Sequence, residues 1–227
     1  MRCVVRSSGA SDLSKTDGPI FAPGLVRADH VWVRTLGVRS HNHRPALFLD
    51  RDGVIIVERH YLSRPDDVAL IDGAAATIAA ARAHGVAVVI VTNQSGIGRG
   101  KFGWPDYRAC EDRMLAILAH GGATVDMILA CPHHPSGARP PYDVDHPWRK
   151  PSPGMLLAAR DQLNLDLAMS NLVGDKASDI EAARAAGLPR AVHVATGHGR
   201  DERAAALALS RPGFDVIAVP SIADFVV

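Results

Sequence analysis

The sequence predicts an α/β fold, a three-layer sandwich on a mostly parallel sheet, and three observations carry that prediction. Short unbroken apolar runs recur along the chain, helical stretches separate them, and four of the runs stop at a polar or reactive residue: Asp50, Thr92, Cys131 and Asp175. Unbroken apolar runs are the mark of strands buried on both faces, and their alternation with helices gives a sheet covered on both sides.

The elements follow in order. Ala46-Leu47-Phe48-Leu49 reads as the first buried strand, ending at Asp50. Ala74 to His84 is Ala-rich and helical, with Gly85 as its stop. Val86 to Val91 is a second strand, stopping at Thr92. Pro105 opens a helix that runs to His120, a position where its missing N–H costs nothing. Met127 to Ala130 is a third strand, followed by a long irregular loop from Cys131 to Pro153. A helix over about 154–163, a strand over Leu172–Gly174 ending at Asp175, a helix from Asp179 to Ala186 and a strand over Ala191–Val194 complete the alternating pattern. Residues 201–209 and 221–227 read as helical, with a short strand over Val216–Ala218 between them. The arrangement is Rossmann-like, and in such sheets the ligand crevice lies beyond the carboxyl ends of the strands. Residues 1–18 lack periodicity and read as a disordered tail. Residues 19–45 read as an arm packed on the core, and 46–227 as the functional domain.

Composition narrows the function classes. The 227 residues suit one α/β domain, alone or with an arm, and can bury a real core. A net charge of +1 gives no reason to expect nucleic acid. Three Cys, widely spaced and odd in number, argue against a disulfide framework. No apolar run approaches the ~20 residues of a membrane span, and the first 18 residues lack the apolar stretch of a secretory signal. The expectation is a monomer in the cytoplasm that acts on a small molecule, without nucleic-acid or membrane partners.

Four motifs carry chemistry. In Asp50-Arg51-Asp52-Gly53-Val54, two carboxylates just past a buried strand repel each other unless a cation lies between them. Magnesium takes oxygen ligands from one or two carboxylates plus phosphate and water, and Gly53 permits the sharp turn that aims both acids. An ordinary strand-to-turn junction would also use Asp and Gly. In Thr92-Asn93-Gln94-Ser95, a hydroxyl and neighbouring N–H groups at a strand end suit phosphate oxygens, although such residues also satisfy their own turns. In Arg149-Lys150-Pro151, a Lys in a stiff loop could neutralise phosphate charge and the Arg could hold a second anion, against the alternative of two solvated charges. In Asp175-Lys176-Ala177-Ser178-Asp179, two acids offer further oxygens toward a metal, although Asp179 would also suit a helix N-terminus. Taken together and in this order, the acids, hydroxyl and Lys assemble a phosphoryl-transfer site.

The segments FLDRDGV, VVIVTNQSG, RKPSPGM and LVGDKASD resemble the haloacid dehalogenase superfamily of aspartate-nucleophile phosphatases. With CPHHP added, the chain is similar to the branch of heptose bisphosphate phosphatases and histidinol-phosphatases, over about residues 45 to 200. The resemblance implies a magnesium-dependent phosphomonoesterase working through an aspartyl-phosphate, with small loops and no large cap domain. It implies Asp50 as nucleophile, Asp52 as general acid and then base, and Thr92 and Lys150 as stabilisers of the phosphoryl group. Metal would be held by Asp50, Asp52 (through its backbone carbonyl) and Asp175. Substrate contacts would come from Arg51, Glu58, Arg59, His60, Tyr61, Asn93, Gln94, Ser95, Arg149 and Lys176. The substrate class it implies is a sugar bisphosphate, with histidinol phosphate or another small phosphomonoester as the enzymatic alternative and a silent binding protein of the same fold as the distant one. Dehalogenation is not expected, because dehalogenases of the superfamily lack the second acid. Two departures stand out. Val54 occupies a position that is usually Thr in the heptose branch. The branch also carries a zinc loop, Cys-x-His followed by Cys-x-Cys, but here Cys131 and His133 are followed by His146 and Trp148. Cys131, His133 and His146 remain as candidate zinc ligands, with His134 or Asp145 as substitutes, one short of a closed site without them. Pro-rich packing is the expected organiser of that loop.

Overall fold

A computed structural model describes residues 24–226. The tail expected over 1–18, the start of the arm (19–23) and Val227 lie outside the described residues. Eight strands form one sheet: β1 (Leu25–Val26), β2 (Trp32–Thr35), β3 (Ala46–Leu49), β4 (Ala87–Asn93), β5 (Met127–Cys131), β6 (Asn171–Gly174), β7 (Arg190–Val194) and β8 (Asp215–Val219). Six α-helices accompany them: α1 (Ala74–Ala83), α2 (Ser95–Gly98), α3 (Trp104–His120), α4 (Gly154–Leu163), α5 (Ala177–Ala185) and α6 (Gly199–Leu207). The strand order is β1-β2-β5-β4-β3-β6-β7-β8, parallel from β5 to β8 and antiparallel at the β1–β2–β5 edge. This is the expected α/β sandwich with a mostly parallel sheet.

The first apolar run explains the layering. Ala46, Leu47, Phe48 and Leu49 are all buried, and successive side chains point to opposite faces. Leu47 and Leu49 join Ile78, Ile90, Met114 and Leu118 on one side. Ala46 and Phe48 join Val89, Val91, Leu156 and Ile180 on the other. The chain leaves β3 toward β4 on one flank and later returns as β6 on the other. The crossovers diverge at β3, and a crevice opens at the carboxyl edge beside it.

Several element readings need correction. β4 and β5 run further than expected, so Thr92 and Cys131 are the penultimate and last residues of their strands rather than the residues after them. α5 begins at Ala177, which leaves Asp179 inside its first turn. Ser95 opens the single-turn α2, too short to show any periodicity. Only a 3-10 turn over Ile222–Asp224 forms where a helix was expected over 221–227. The described part of the arm adds β1 and β2 to the sheet edge, with Trp32–Thr35 paired to Met127–Ala130, and packs Val31 and Val33 into the core. Four residues rich in β-branched and aromatic side chains, between Gly and His, were too few to read as a strand.

Candidate active site

β3 delivers Asp50, whose N–H donates to the Val173 carbonyl of β6 at 3.0 Å and so locks it to the sheet edge. The turn that follows depends on Gly53, at φ +82°; a Cβ there would come within 2.5 Å of Asp175 Oδ2. Gly197, at φ +59°, has the same constraint, with Asp175 Oδ2 2.3 Å from an added Cβ. Two backbones thus close directly on the Asp175 carboxylate, which a side chain at either glycine would not allow.

Lys150 is the centre of the floor. Its Nζ donates to Asp50 Oδ1 at 2.8 Å and to the Val91 carbonyl at 2.8 Å, and pairs with Asp179 Oδ1 at 2.6 Å. Burial works against its charge, but Asp179 and Asp50 prevail and hold its pKa above the ordinary Lys range. Burial would raise Asp50, yet Lys150 and Lys176 outweigh it and keep that carboxyl below its usual value. Asp175, fully buried, is pushed up to about 8 by burial, then by Asp50 and Asp179. Asp179 is also raised, by burial against the pull of Lys150. Its other oxygen accepts the Lys176 N–H at 3.0 Å, so it caps α5 and faces the site at once.

These acids fit a hard cation. Asp50, Asp175 and Asp179 each offer an oxygen within 4.8 Å of the others, the one group of three or more metal-ligating side chains among the described residues. Asp175 Oδ1 is buried without a hydrogen-bond partner. The crowding that raises Asp175 and Asp179 would be relieved by a cation, and the all-oxygen donor set suits magnesium. Asp179, which the sequence offers both as a metal-facing acid and as a helix cap, is the third member.

Asp52 stands apart from that group. Its carboxylate receives Arg51 Nη2 at 3.0 and 2.9 Å, Arg51 Nε at 3.1 Å and Gln94 Nε2 at 2.8 Å. Gln94 also donates to Thr92 Oγ1 at 2.8 Å. Arg51, 2% exposed, borders the cavity with its Nη2 and Nε committed to Asp52. Asn93 is committed as well: its Nδ2 donates to the Lys150 carbonyl at 3.0 Å and its Oδ1 accepts the Lys150 N–H at 3.1 Å. A two-way amide clamp on the backbone sets the lysine's height in the cavity.

The cavity above this floor has a volume of about 550 Å³, bordered by Glu58, His60, Tyr61, Ser95, Arg149 and Lys176 among others. Arg59 is exposed and does not border it. Phe102, Ser178 and His198 do border it and carried no signal in the sequence, since none ends a strand. His198 has a second role: its N–H donates to Asp175 Oδ2 at 2.8 Å. Arg149 reaches from the 131–153 loop, with Nη1 donating to the His133 carbonyl at 3.0 Å.

Cys131, His133 and His146 do not converge on a common point among the described residues. The His133 and His146 rings stack at 4.4 Å, His133 Nε2 lies 3.1 Å from the Asp29 carbonyl, and His146 Nδ1 accepts the Trp148 N–H at 3.1 Å. His134 is taken up by Arg99 and the Ser136 N–H. Trp148, in the place of a ligand, is buried in the core beneath α4. Burial pushes the Cys131 thiol up to about 12, away from the thiolate a metal needs.

Acids, a buried Lys and a hydroxyl at the carboxyl edge of a parallel sheet form a site suited to phosphoryl transfer. The family model of HAD-like hydrolases matches residues 147–224. A D-glycero-β-D-manno-heptose-1,7-bisphosphate 7-phosphatase of Mesorhizobium japonicum is 46% identical over 78% of this chain and 80% of its own length. The protein of that description from Escherichia coli K12 is 44% identical over 67% of this chain and 80% of its own. Among solved structures, a HAD-like phosphatase of Mesorhizobium loti aligns with a TM-score of 0.75 and 40% identity over 90% of both chains. A D,D-heptose 1,7-bisphosphate phosphatase of B. bronchiseptica, complexed with magnesium and phosphate, aligns with a TM-score of 0.68 and 34% identity over 79% of this chain and 94% of that one. The chain belongs to the haloacid dehalogenase superfamily of phosphatases, in the branch that holds the heptose 1,7-bisphosphate phosphatases.

Proposed function

We propose that this phosphatase hydrolyses a sugar bisphosphate, D-glycero-D-manno-heptose 1,7-bisphosphate first among them, through an aspartyl-phosphate on Asp50. The observation that carries the reading is Lys150 Nζ, buried and bonded to Asp50 Oδ1 at 2.8 Å while Asp175 and Asp179 crowd the same point. A carboxylate kept ionised by a buried Lys is a competent nucleophile toward phosphorus. Asp50, Asp175 and Asp179 would hold magnesium, which when bound offsets phosphoryl charge and draws those acids together. The resemblance adds the backbone carbonyl of Asp52 as a further ligand.

Asp50 attacks phosphorus, the bond from phosphorus to the sugar oxygen breaks, and that oxygen leaves with a proton from Asp52. Water then attacks the phosphorus, the bond to Asp50 breaks, and Asp52 takes the water's proton. Lys150 offsets the charge on the phosphoryl oxygens, with Thr92 oriented beside them by Gln94. Arg149 and Lys176 border the cavity and supply positive charge for a second anionic group. The relatives' activity supports the heptose as substrate.

A phosphate-release screen over heptose 1,7-bisphosphate, sugar monophosphates and histidinol phosphate tests this, run with magnesium and with excess chelator. The heptose bisphosphate should give the highest kcat/KM and lose one phosphate, and chelation should abolish turnover until magnesium is restored. A preference for histidinol phosphate would move the chain to the neighbouring activity. Full rate in chelator would remove the metal.

A further inference from the structure

Arg51 sits between the two central acids, where the sequence suggests a substrate contact, yet its guanidinium turns inward. Beneath it lies a line of buried side chains. The Arg51 guanidinium rests over the Tyr107 ring at 5.1 Å from its centroid. Tyr107 and Glu111 stand one turn apart on α3, and both are fully buried. Glu111 Oε1 accepts from Arg34 Nη1 at 2.8 Å, and the same nitrogen reaches Asp112 at 2.6 Å. Trp32, two residues before Arg34 on β2, packs edge-on against the Tyr107 ring at 5.6 Å.

The geometry is a match of two periods. Residues i and i+2 of a strand share a face, and residues i and i+4 of a helix share a face. Trp32 and Arg34 of β2 therefore meet Tyr107 and Glu111 of α3 pairwise. A buried carboxylate and a buried guanidinium are costly unless each has a partner. Here Arg34 partners Glu111, Glu111 and the Tyr107 face lie toward Arg51, and Arg51 is committed to Asp52. Burial and Glu111 push the Tyr107 hydroxyl well above its ordinary value, so it stays neutral and its ring keeps the electron-rich face a cation prefers.

We propose that Arg51 is a positioning residue which fixes the Asp52 carboxylate for proton transfer, and that Tyr107, Glu111 and Arg34 of β2 in turn fix Arg51. The antiparallel edge strand, outside the alternating core, is then a part of the active-site support. The proposal rests on Asp52 acting as general acid, as set out above.

The test uses leaving groups. An alkyl leaving oxygen needs a proton as the bond to phosphorus breaks, whereas p-nitrophenolate leaves well without one. Steady-state kinetics of Arg51→Gln, Arg51→Lys and the paired variant Arg34→Met/Glu111→Met are compared with the parent on heptose 1,7-bisphosphate and on p-nitrophenyl phosphate. The paired variant removes both buried charges, so neither is left alone. For Arg51→Gln, kcat/KM on the sugar phosphate should fall by roughly 10²-fold through kcat, with KM within about twofold, and on the aryl ester by less than about threefold. Arg51→Lys, which keeps the charge without the fork, should recover part of the loss. The paired variant should show the same substrate dependence at about a tenth of the size. Equal losses on both substrates would make Arg51 merely structural, and a rise in KM at unchanged kcat would make it a substrate contact; either overturns the proposal. A folded paired variant with parental kinetics overturns the part assigned to β2. Should Asp52→Asn keep parental activity on the sugar phosphate, the general-acid reading itself fails, and the proposal with it.

Discussion

The floor of the cavity and its rim are built on opposite terms. On the floor, Asp50, Lys150, Asp175 and Asp179 are almost without exposure, and Lys150 alone ties β3, the carbonyl of β4 and α5 together. On the rim, His60 and Tyr61 are exposed at positive φ of 51° and 41°, and the Tyr61 ring has Lys101 Nζ 5.9 Å from its centroid. The floor is over-determined: each group is held by several others, so chemistry that needs exact placement can be done there. The rim is held by a few contacts each, and side chains there can differ between relatives without cost to the core. On the proposed function, reaction type belongs to the first region and substrate choice to the second.

The largest effects should come from the floor. Asp50→Asn keeps the shape and an acceptor for Lys150 Nζ but removes the nucleophile, so turnover should fall by at least roughly 10⁴-fold. Its thermal midpoint should remain within a few degrees of the parent, because one of three crowded acids loses its charge. More than a trace of activity in purified protein would reject Asp50 as nucleophile. Lys150→Met should lose activity and stability together. It leaves Asp50 and Asp179 buried without their cation, a change that costs about 3–5 kcal/mol when one partner of a buried pair is removed. Magnesium should return part of that stability, and a midpoint indifferent to both mutation and metal would contradict the arrangement.

The rim should behave otherwise. Arg149→Met removes a cation that borders the cavity, so KM for a sugar bisphosphate should rise by about tenfold while kcat changes by less than about threefold. Arg59→Ala, at an exposed position off the cavity, should leave both within about twofold. The contrast between two arginines, each a candidate substrate contact by resemblance, is what separates them; equal KM effects would mean the segment around Arg59 folds over the bound sugar.

How much of this the sequence discloses follows from the same division. β3, β4, β5, β6 and β7 were readable because a strand buried on both faces must be apolar throughout, and each acid of the floor but one follows such a run directly. Asp179 came with a valid alternative, since a carboxylate in a helix's first turn is stabilising whatever else it does, and in the structure it does both. Arg51 and Asn93 border the cavity, yet the hydrogen bonds their side chains make go to Asp52 and to the Lys150 backbone. Spacing cannot reveal that, because the partner of Asn93 lies 57 residues away. His198 and Phe102 are brought to the cavity by tertiary folding alone. β2 is short and its role depends on pairing with β5, a long-range contact that four residues cannot announce.

The smallest expected effect concerns the loop that carries Arg149 and Lys150. His146 is held below its ordinary pKa by burial and by the neighbouring His133, with Asp29 opposing. Its Nδ1 accepts the Trp148 N–H at 3.1 Å, a bond that a protonated ring would lose. A histidine with a lowered folded pKa binds fewer protons folded than unfolded. Stability is therefore complete above the unfolded value of about 6.5 and declines as pH falls through it. His134 is lowered too, by burial and then by Arg149 and Arg99, and adds to the decline. His146→Gln keeps an acceptor but cannot take a proton. Between pH 7.5 and 5.5 its thermal midpoint should fall by roughly 2–4 °C less than that of the parent. If the two proteins lose stability in parallel over that range, the stacked histidines contribute nothing to the pH response, and the loop rests on Trp148 and its prolines alone.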